Sequence, residues 1–369
     1  MTLPRMVVAG RTYMLTRKCV GDRLYLSPTK DREVEQIYLY CLALAAMELG
    51  IEINGFCCMG NHHHVVFTDP LGVMPDFLKR LHSLLARTMN CMRGRTGSFF
   101  EGATKCNVVH CVEPLDSLDE MVYVTMNPVA ANLVGRAEDW PGAVSLPHMF
   151  AEGHEIVVKK PRRLFRQLRR DGSASGQVLD AGNARHRARM HQKEKEPKPD
   201  EVRLTLSVPP GFEHLDRAEF QALYTQRAAT EQRVTDAGRQ AGLRSRPLGV
   251  KKIFEEDWRE PPLGKKKKQQ EKERAAARLP APPSHMKVAP PKPRPSTKSE
   301  KPDDFLFPHI RCKHNSVARA KHRTAMLEFW AKYRAAYEAF RRRKRGVLFP
   351  PGSWGPKQLY NARVARAVA

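Results

Sequence analysis

Three consecutive histidines, at positions 62 to 64, are the side chains of this sequence best suited to hold a metal ion. The hydrophobic run Val65 to Phe67 follows them, which predicts a β-strand. Side chains alternate along a strand, so His62 and His64 would face one side and His63 the other. Two imidazoles on one face can share a cation. The alternative is a set of exposed or hydrogen-bonded histidines beside a turn.

A tyrosine and an asparagine four residues apart form the second chemical feature. On a helix, Tyr123 and Asn127 lie on one face and present a phenol next to an amide. Pro128 follows and should bend the helix or remove one of its hydrogen bonds. The apolar residues around Tyr123 also suit a core position, so the phenol alone does not identify a nucleophile.

Taken together, the two segments resemble the motifs of the single-tyrosine HUH transposases, in particular the branch of REP-associated tyrosine transposases. Met59 to Phe67 is similar to the family's histidine–hydrophobe–histidine strand, and Tyr123 to Val134 is similar to its tyrosine helix. Further segments resemble the family's second helix, its aromatic-rich turn and its usual domain end: residues 78–90, 97–102 and 138–141. The resemblance extends over about the first 150 residues.

This resemblance implies metal-dependent cleavage and strand transfer of DNA, as in transposition. Tyr123 would attack a phosphodiester of single-stranded DNA and leave a 5′-phosphotyrosine link and a free 3′-hydroxyl, and a later 3′-hydroxyl would reverse the step. A phenol has a pKa of about 10, so it needs activation, which a divalent ion on the scissile phosphate supplies. The implied ligands are His62, His64 and Asn127, a set that suits Mg²⁺ or Mn²⁺.

Several positions depart from the family's pattern. His63 stands where a buried hydrophobe is usual, and a buried neutral imidazole without a partner is expected to cost stability. Gly60 stands where a proline is usual, Ala130 where an arginine is usual and Asn132 where a glycine is usual. Ala103 and Thr104 stand where an arginine and an aromatic residue are common. None of them removes the implied ligands or the tyrosine.

The charge balance points to a polyanionic partner. The chain has 64 Lys and Arg against 39 Asp and Glu, a net charge of +25, and single-stranded or hairpin DNA is the partner that the resemblance implies. Residues 1–150 hold 14 basic and 15 acidic side chains, so the whole excess lies in residues 151–369. The basic part predicts strongly salt-dependent DNA binding. The alternative is that this part is a solvated extension without a DNA-binding role. Within the first part we predict a local DNA-binding patch of four arginines: Arg80, Arg87, Arg93 and Arg95.

The elements that must position these residues follow an α+β pattern, a ferredoxin-like (RRM-like) HUH domain with an antiparallel sheet. Hydrophobic periodicity predicts strands over residues 6–16, 51–58, 62–68 and 105–112. It predicts helices over residues 31–50, 78–92 and 117–134, the first ending at Gly50. The strands at 51–58 and 62–68 read as a hairpin, which would place the histidines directly after a tight turn.

Composition divides the chain into four parts: a catalytic domain at 1–150, a basic helical extension at 151–260, a Lys/Pro-rich linker at 261–304 and a basic helical module at 305–369. The extension includes a basic stretch at 159–170 and a helical region at 212–240. Prolines between Pro280 and Pro302 predict a solvated, partly disordered segment.

The last module contains one long amphipathic pattern, over residues 316–345. Its aromatic residues recur at helical spacing among many basic neighbours, which predicts a helix docked by one face. Trp330 and Tyr333 belong to this stripe, and they either pack in a core or stack on the bases of an unpaired strand.

Other function classes receive little support. No apolar run approaches the roughly 18 residues of a membrane helix, and the first residues lack the order of a signal peptide. Eight cysteines without a CxxC pair indicate reduced thiols. We therefore expect a cytoplasmic, nucleoid-associated protein, either monomer or homodimer. Two alternatives to a transposase stay open: an inactive or domesticated DNA-binding regulator with the same fold, and an RNA-binding accessory protein.

Overall fold

The computed structural model of the chain describes residues 4–102, 106–161, 197–262 and 310–365. The elements of its first part are β1 (Arg11–Lys18), α1 (Glu33–Leu49), β2 (Glu52–Cys58), β3 (His62–Asp69), α2 (Met74–Met92), β4 (Asn107–Cys111) and α3 (Pro114–Ala130). The elements that follow are β5 (Ile156–Lys159), β6 (Glu201–Leu204), α4 (Arg217–Gln240), α5 (Val250–Glu255), β7 (Ile310–Arg311), α6 (Ser316–Arg341), β8 (Leu348–Phe349), α7 (Trp354–Tyr360) and β9 (Arg363–Val364).

The main sheet has the strand order β2-β3-β1-β4, and all of these neighbours are antiparallel. β7 extends the sheet by pairing in parallel with β4. The fold is therefore mixed α+β with a mainly antiparallel sheet, as the sequence predicts. The register places the three histidines of β3 opposite the end of β1, with His64 across from Thr16 and His62 across from Lys18.

The hairpin that carries the histidines forms where the sequence predicts it. α1 ends at Leu49 because Gly50 adopts the left-handed conformation, at φ 65°, that glycine favours after a helix. β2 and β3 then pair around a tight turn, in which Met59 N–H donates to the carbonyl of His62 at 2.9 Å. A Cβ atom at Gly60 would lie 2.8 Å from Cδ2 of Leu24, so the loop after β1 packs directly on this turn.

Two predicted boundaries differ from the structure. β1 begins at Arg11 rather than residue 6, because Gly10 takes a left-handed turn at φ 77° just before it. α2 begins at Met74 rather than residue 78, because the carboxylate of Asp69 accepts the backbone N–H groups of Val73 and Met74 at 2.9 and 2.8 Å.

The helix of the tyrosine ends earlier than predicted, at Ala130 instead of residue 134. Pro128 lies in its last turn and has no N–H to donate to the carbonyl four residues earlier, and the helix ends two residues after it. Asn132 follows in the left-handed region at φ 59°. Asparagine is one of the few residues that tolerate this conformation, which explains how it replaces a glycine here.

The sheet separates two packed layers, and this separation positions the site. His63 points to the layer of α1 and α2, where its ring contacts those of Tyr38 and His82. His64 points to the opposite layer, where its ring contacts Tyr123 of α3. The alternation predicted for the strand is therefore present in the structure.

The second half of the chain is joined to the same core. The helical region predicted over 212–240 is one helix, α4, and its Phe220 and Tyr224 are fully buried against Phe150. The hydroxyl of Tyr224 donates to the carbonyl of Met121 in α3 at 3.1 Å. α4 therefore packs against α3.

The aromatic stripe of α6 is core rather than an exposed stacking surface. Met326, Phe329 and Trp330 are buried in a small second cluster, with Tyr333 packed against it. The indole N–H of Trp330 donates to the carbonyl of Pro4 at 3.0 Å, which ties α6 to the N-terminal residues.

Several predictions concern residues outside the described ranges. These are the linker at 261–304, most of the basic stretch at 159–170, and the pair Ala103 and Thr104. Within the described ranges, no helix combines the length and apolar character needed to span a membrane. The eight cysteines are all free thiols, as predicted.

Candidate active site

Two histidines of β3 lie side by side on the face of the sheet that α3 covers. The rings of His62 and His64 are perpendicular, with centroids 4.7 Å apart. His64 is 2 % exposed, whereas His62 is half-buried at the strand's start. A single ion could therefore contact both rings from the space between the sheet and α3.

Each ring is oriented through its Nδ1 atom. Nδ1 of His62 donates to the side-chain oxygen of Asn61 at 2.7 Å, and Nδ1 of His64 lies 3.0 Å from the hydroxyl of Thr16. With Nδ1 of each ring engaged in this way, a metal would be bound through Nε2, which in His64 is also the atom that the Asn127 amide approaches. Burial, and then the neighbouring His62, lower the pKa of His64 well below its usual value. His64 is therefore neutral, which is the form that ligates metals.

The tyrosine and the asparagine of α3 face these histidines. The ring of Tyr123 lies edge-on to that of His64, with centroids 5.5 Å apart, and the residue is 47 % exposed. One turn later, Asn127 is 7 % exposed, and its side-chain nitrogen lies 3.2 Å from Nε2 of His64. An accessible phenol and a buried amide thus meet the same imidazole.

A cleft of about 640 Å³ lies between the sheet and α3. Its polar lining includes residues of β1, β3, α3 and the C-terminal segment: Thr16, Lys18, His62, His64, Glu120, Tyr123, Arg311 and Lys313. The loop after β1 and the turn at Gly60 close one side. The cleft is large enough for a nucleotide-sized group to reach Tyr123 and the histidines together.

Three side chains of the site carry atoms that can ligate a divalent cation: the imidazoles of His62 and His64, and the amide of Asn127, whose nitrogen faces His64. The described residues contain no group of three or more His, Cys, Asp or Glu side chains arranged to hold a metal. Imidazole nitrogen and amide oxygen together suit a borderline or hard divalent ion.

The four arginines predicted for a DNA-binding patch lie outside this cleft lining. Arg80 is 3 % exposed and holds Glu48 through a bidentate pair at 2.7 and 2.8 Å, so we leave it out of the proposed DNA surface. Arg93 donates to the carbonyl of Ser27 at 2.9 Å, and Arg95 lies 3.9 Å above the ring centroid of Tyr25. Both arginine side chains therefore contact the loop after β1.

Arg87, the fourth arginine, is exposed on α2. It does not line the cleft.

Sequence reasoning missed residues that only the tertiary fold brings to the site. Thr16 reaches His64 because of the β1–β3 register, and Glu120 lies one helical turn before Tyr123. Arg311 and Lys313 arrive through β7, from the far end of the chain. Of these residues, only Glu120 could have been found from the sequence, because it lies three residues before Tyr123 and residues three apart share a helix face.

Comparisons with known proteins give limited similarity. No protein-family profile matches the chain, and no curated protein matches it. Among solved structures, the chain is similar to a REP-associated tyrosine transposase bound to a REP hairpin, at 16 % identity and a TM-score of 0.35, over 42 % of this chain and 87 % of that one. It is also similar to a presumed transposase from Deinococcus radiodurans R1, at 22 % identity and a TM-score of 0.22, over 30 % of this chain and 85 % of that one. Similarity at this level assigns no family, so the functional argument rests on the chemistry of the cleft.

Proposed function

We propose that this protein is a single-tyrosine HUH transposase that cleaves and rejoins single-stranded or hairpin DNA through a 5′-phosphotyrosine intermediate. The strand order β2-β3-β1-β4 with antiparallel pairing supports a ferredoxin-like catalytic domain. The single observation that carries the chemistry is the accessible phenol of Tyr123, set edge-on to His64 at 5.5 Å above a histidine-lined cleft.

In the proposed reaction, the phenolic oxygen of Tyr123 forms a bond to the scissile phosphorus, and the 3′-oxygen of the upstream strand leaves. The product is a strand attached by its 5′-phosphate to Tyr123 and a second strand with a free 3′-hydroxyl. Attack by a 3′-hydroxyl on the phosphotyrosine reverses the step and joins strands, so no nucleotide cofactor is consumed.

The remaining side chains prepare the cleft for this attack. Thr16 and Asn61 fix the imidazole rings, and burial keeps His64 neutral. His62, His64 and Asn127 would hold Mg²⁺ or Mn²⁺, which when bound withdraws charge from the scissile phosphate and lowers the barrier to attack. The exposure of Tyr123 lets a flexible single strand reach its oxygen.

The test is formation of a covalent adduct. The protein is incubated with a single-stranded DNA hairpin with unpaired flanks, in the presence of Mn²⁺ or Mg²⁺, and resolved under denaturing conditions. We expect a protein–DNA band for the wild type and none for Tyr123→Phe, because only the phenolic oxygen is lost. DNA binding by Tyr123→Phe should stay within about twofold of wild type.

Tyr360→Phe is the matched control, because Tyr360 is 51 % exposed and lies outside the cleft lining. It should form the adduct at the wild-type rate. Binding without an adduct in the wild type would instead favour the regulator or the RNA-binding protein.

A further inference from the structure

A basic segment from the far C-terminal part of the chain forms part of the cleft wall next to Tyr123. Arg311 and Lys313 both line the cleft, although residues 1–150 contain every group assigned to the chemistry above. The whole excess of basic over acidic side chains lies in residues 151–369, the region that supplies them. This placement gives the C-terminal region a role inside the cleft.

Backbone contacts hold this segment independently of its charged side chains. β7 pairs in parallel with β4, with Arg311 aligned to Cys111, and Val112 N–H donates to the carbonyl of Arg311 at 3.0 Å. The backbone N–H of Lys313 donates to the carboxylate of Asp116 at 2.7 Å. The position of both cations is therefore set by the sheet and by α3.

One buried carboxylate, Glu120, lies near both cations and is closest to Arg311. Glu120 is 3 % exposed, and its Oε1 lies 3.0 Å from Nε of Arg311 and 3.9 Å from Nζ of Lys313. Both cationic side chains are still 49 % exposed. Because Glu120 lies one helical turn before Tyr123, the cations are held beside the nucleophile.

The charges of the cleft explain why such cations are useful. The charged side chains in its lining are Lys18, Arg311 and Lys313 against Glu120 and Glu256. A phosphodiester strand that enters the cleft therefore meets cations that come largely from the C-terminal segment.

We propose that Arg311 and Lys313 form a phosphate-binding subsite for the nucleic acid strand that enters the cleft, and that Glu120 orients the Arg311 guanidinium. The planar guanidinium can hold Glu120 through Nε and a phosphate oxygen through its terminal nitrogens. The inference rests on the proposed function for the identity of the ligand, a DNA strand.

The test uses the full-length protein and a fluorescent single-stranded oligonucleotide, with affinity measured at several salt concentrations. Arg311→Gln should weaken binding by about tenfold, because a charge-assisted contact is lost. It should also reduce the slope of log affinity against log salt by about 0.7, the value for one phosphate contact on a single strand. Arg311→Lys should retain most of the affinity, since it keeps the charge.

Two further variants separate a subsite from an ion pair that only stabilises the fold. Glu120→Gln breaks the same ion pair but keeps the cation and loses only the charge that orients it, so it should weaken binding clearly less than Arg311→Gln does. Lys313→Gln removes a cation whose carboxylate contacts are long, at 3.5 and 3.9 Å, and should weaken binding without lowering the melting temperature. Arg334→Gln, at an exposed position on α6 outside the cleft, is the control for loss of one positive charge.

Equal weakening by Arg311→Gln and Glu120→Gln would overturn the subsite, and so would equal weakening by Arg311→Gln and Arg334→Gln. A wild-type protein that does not bind the oligonucleotide would also overturn it. If the protein forms no adduct but Arg311→Gln still weakens binding selectively, the subsite stands and the proposed tyrosine chemistry fails.

Discussion

For the three histidines of β3, the face of the sheet on which the side chain lies determines whether it can take part in the proposed chemistry. His62 and His64 share the side of Tyr123, whereas His63 is fully buried on the other side with its Nε2 atom unpartnered. The same triplet therefore contains two candidate ligands and one residue that the core must accommodate at a cost.

Replacement of each histidine should separate these roles. His62→Ala and His64→Ala should each reduce adduct formation more than about 100-fold, because an ion held by the remaining donors binds weakly. His63→Val should keep the activity and raise the melting temperature, because it removes a buried polar atom without a partner. The rate of adduct formation and thermal unfolding check this. A His63→Val protein as inactive as the other two would contradict the assignment of faces.

Thr16 should matter through His64 alone. Thr16→Val keeps the shape of the side chain but removes the acceptor of the Nδ1 proton, and loss of such a partner typically weakens metal binding about 10- to 100-fold. Titration calorimetry with Mn²⁺ measures this effect directly. Thr12→Val, which removes a hydroxyl bonded to Thr68 at 3.0 Å elsewhere on β1, should leave Mn²⁺ affinity unchanged. Equal losses in both variants would point to damage of the strand instead.

At the level of elements, the sequence predicted those whose patterns are local. α1, the β2–β3 hairpin and the order of strands and helices follow from apolar periodicity and turn residues, and their type was predicted correctly. The same reasoning placed the two histidines on one face of a strand. Local patterns also predicted the helix that carries Tyr123.

Contacts between distant segments could not be predicted in this way. Nothing in the local pattern shows that Thr16 pairs with His64 or that Arg80 is buried against Glu48. β7 has two residues, too short for periodicity to reveal, yet it brings Arg311 to the cleft. These features depend on register and on tertiary pairing, which a single sequence does not encode locally.

A histidine of α2, His82, predicts that the fold loses stability in acid. Burial, and then the charge of Arg17, lower the pKa of His82 to about 3. The unfolded chain takes up this proton near a pH of about 6.5, so stability is fully present above that pH and is lost as the pH falls towards 3. His82→Leu should reduce this loss, by at most about 1.4 kcal/mol per pH unit between those values.

Urea unfolding at several pH values measures the effect, with His148→Gln on the protein surface as the control. A pH dependence that is the same in His82→Leu and wild type would show that another group dominates the acid sensitivity.

At the level of the whole molecule, the change in composition at residue 150 does not coincide with the limit of the core. α4 lies beyond it, yet Phe220 and Tyr224 pack with Phe150 and support α3. The helix that carries Tyr123 is therefore packed against residues on both sides of the predicted boundary. The C-terminal segment adds charges to the same cleft.

Phe220→Ala should consequently destabilise the core that supports α3. Removal of a fully buried phenylalanine typically costs about 3–5 kcal/mol, and adduct formation should be lost in the same denaturant range as the fold. Val234→Ala on the same helix, where the side chain is 64 % exposed, should change stability by less than about 0.5 kcal/mol. Similar stabilities for the two variants would mean that α4 is not part of the catalytic core.

The most direct test of the central claim is to map the covalent link itself. The wild-type protein is incubated with a hairpin substrate and Mn²⁺ or Mg²⁺, the adduct is digested with nuclease and protease, and mass spectrometry locates the nucleotide. We predict a nucleotide joined through its 5′-phosphate to Tyr123, and a free 3′-hydroxyl on the released fragment. A link to any other residue, a link through a 3′-phosphate, or a bound strand with no covalent link would contradict the account.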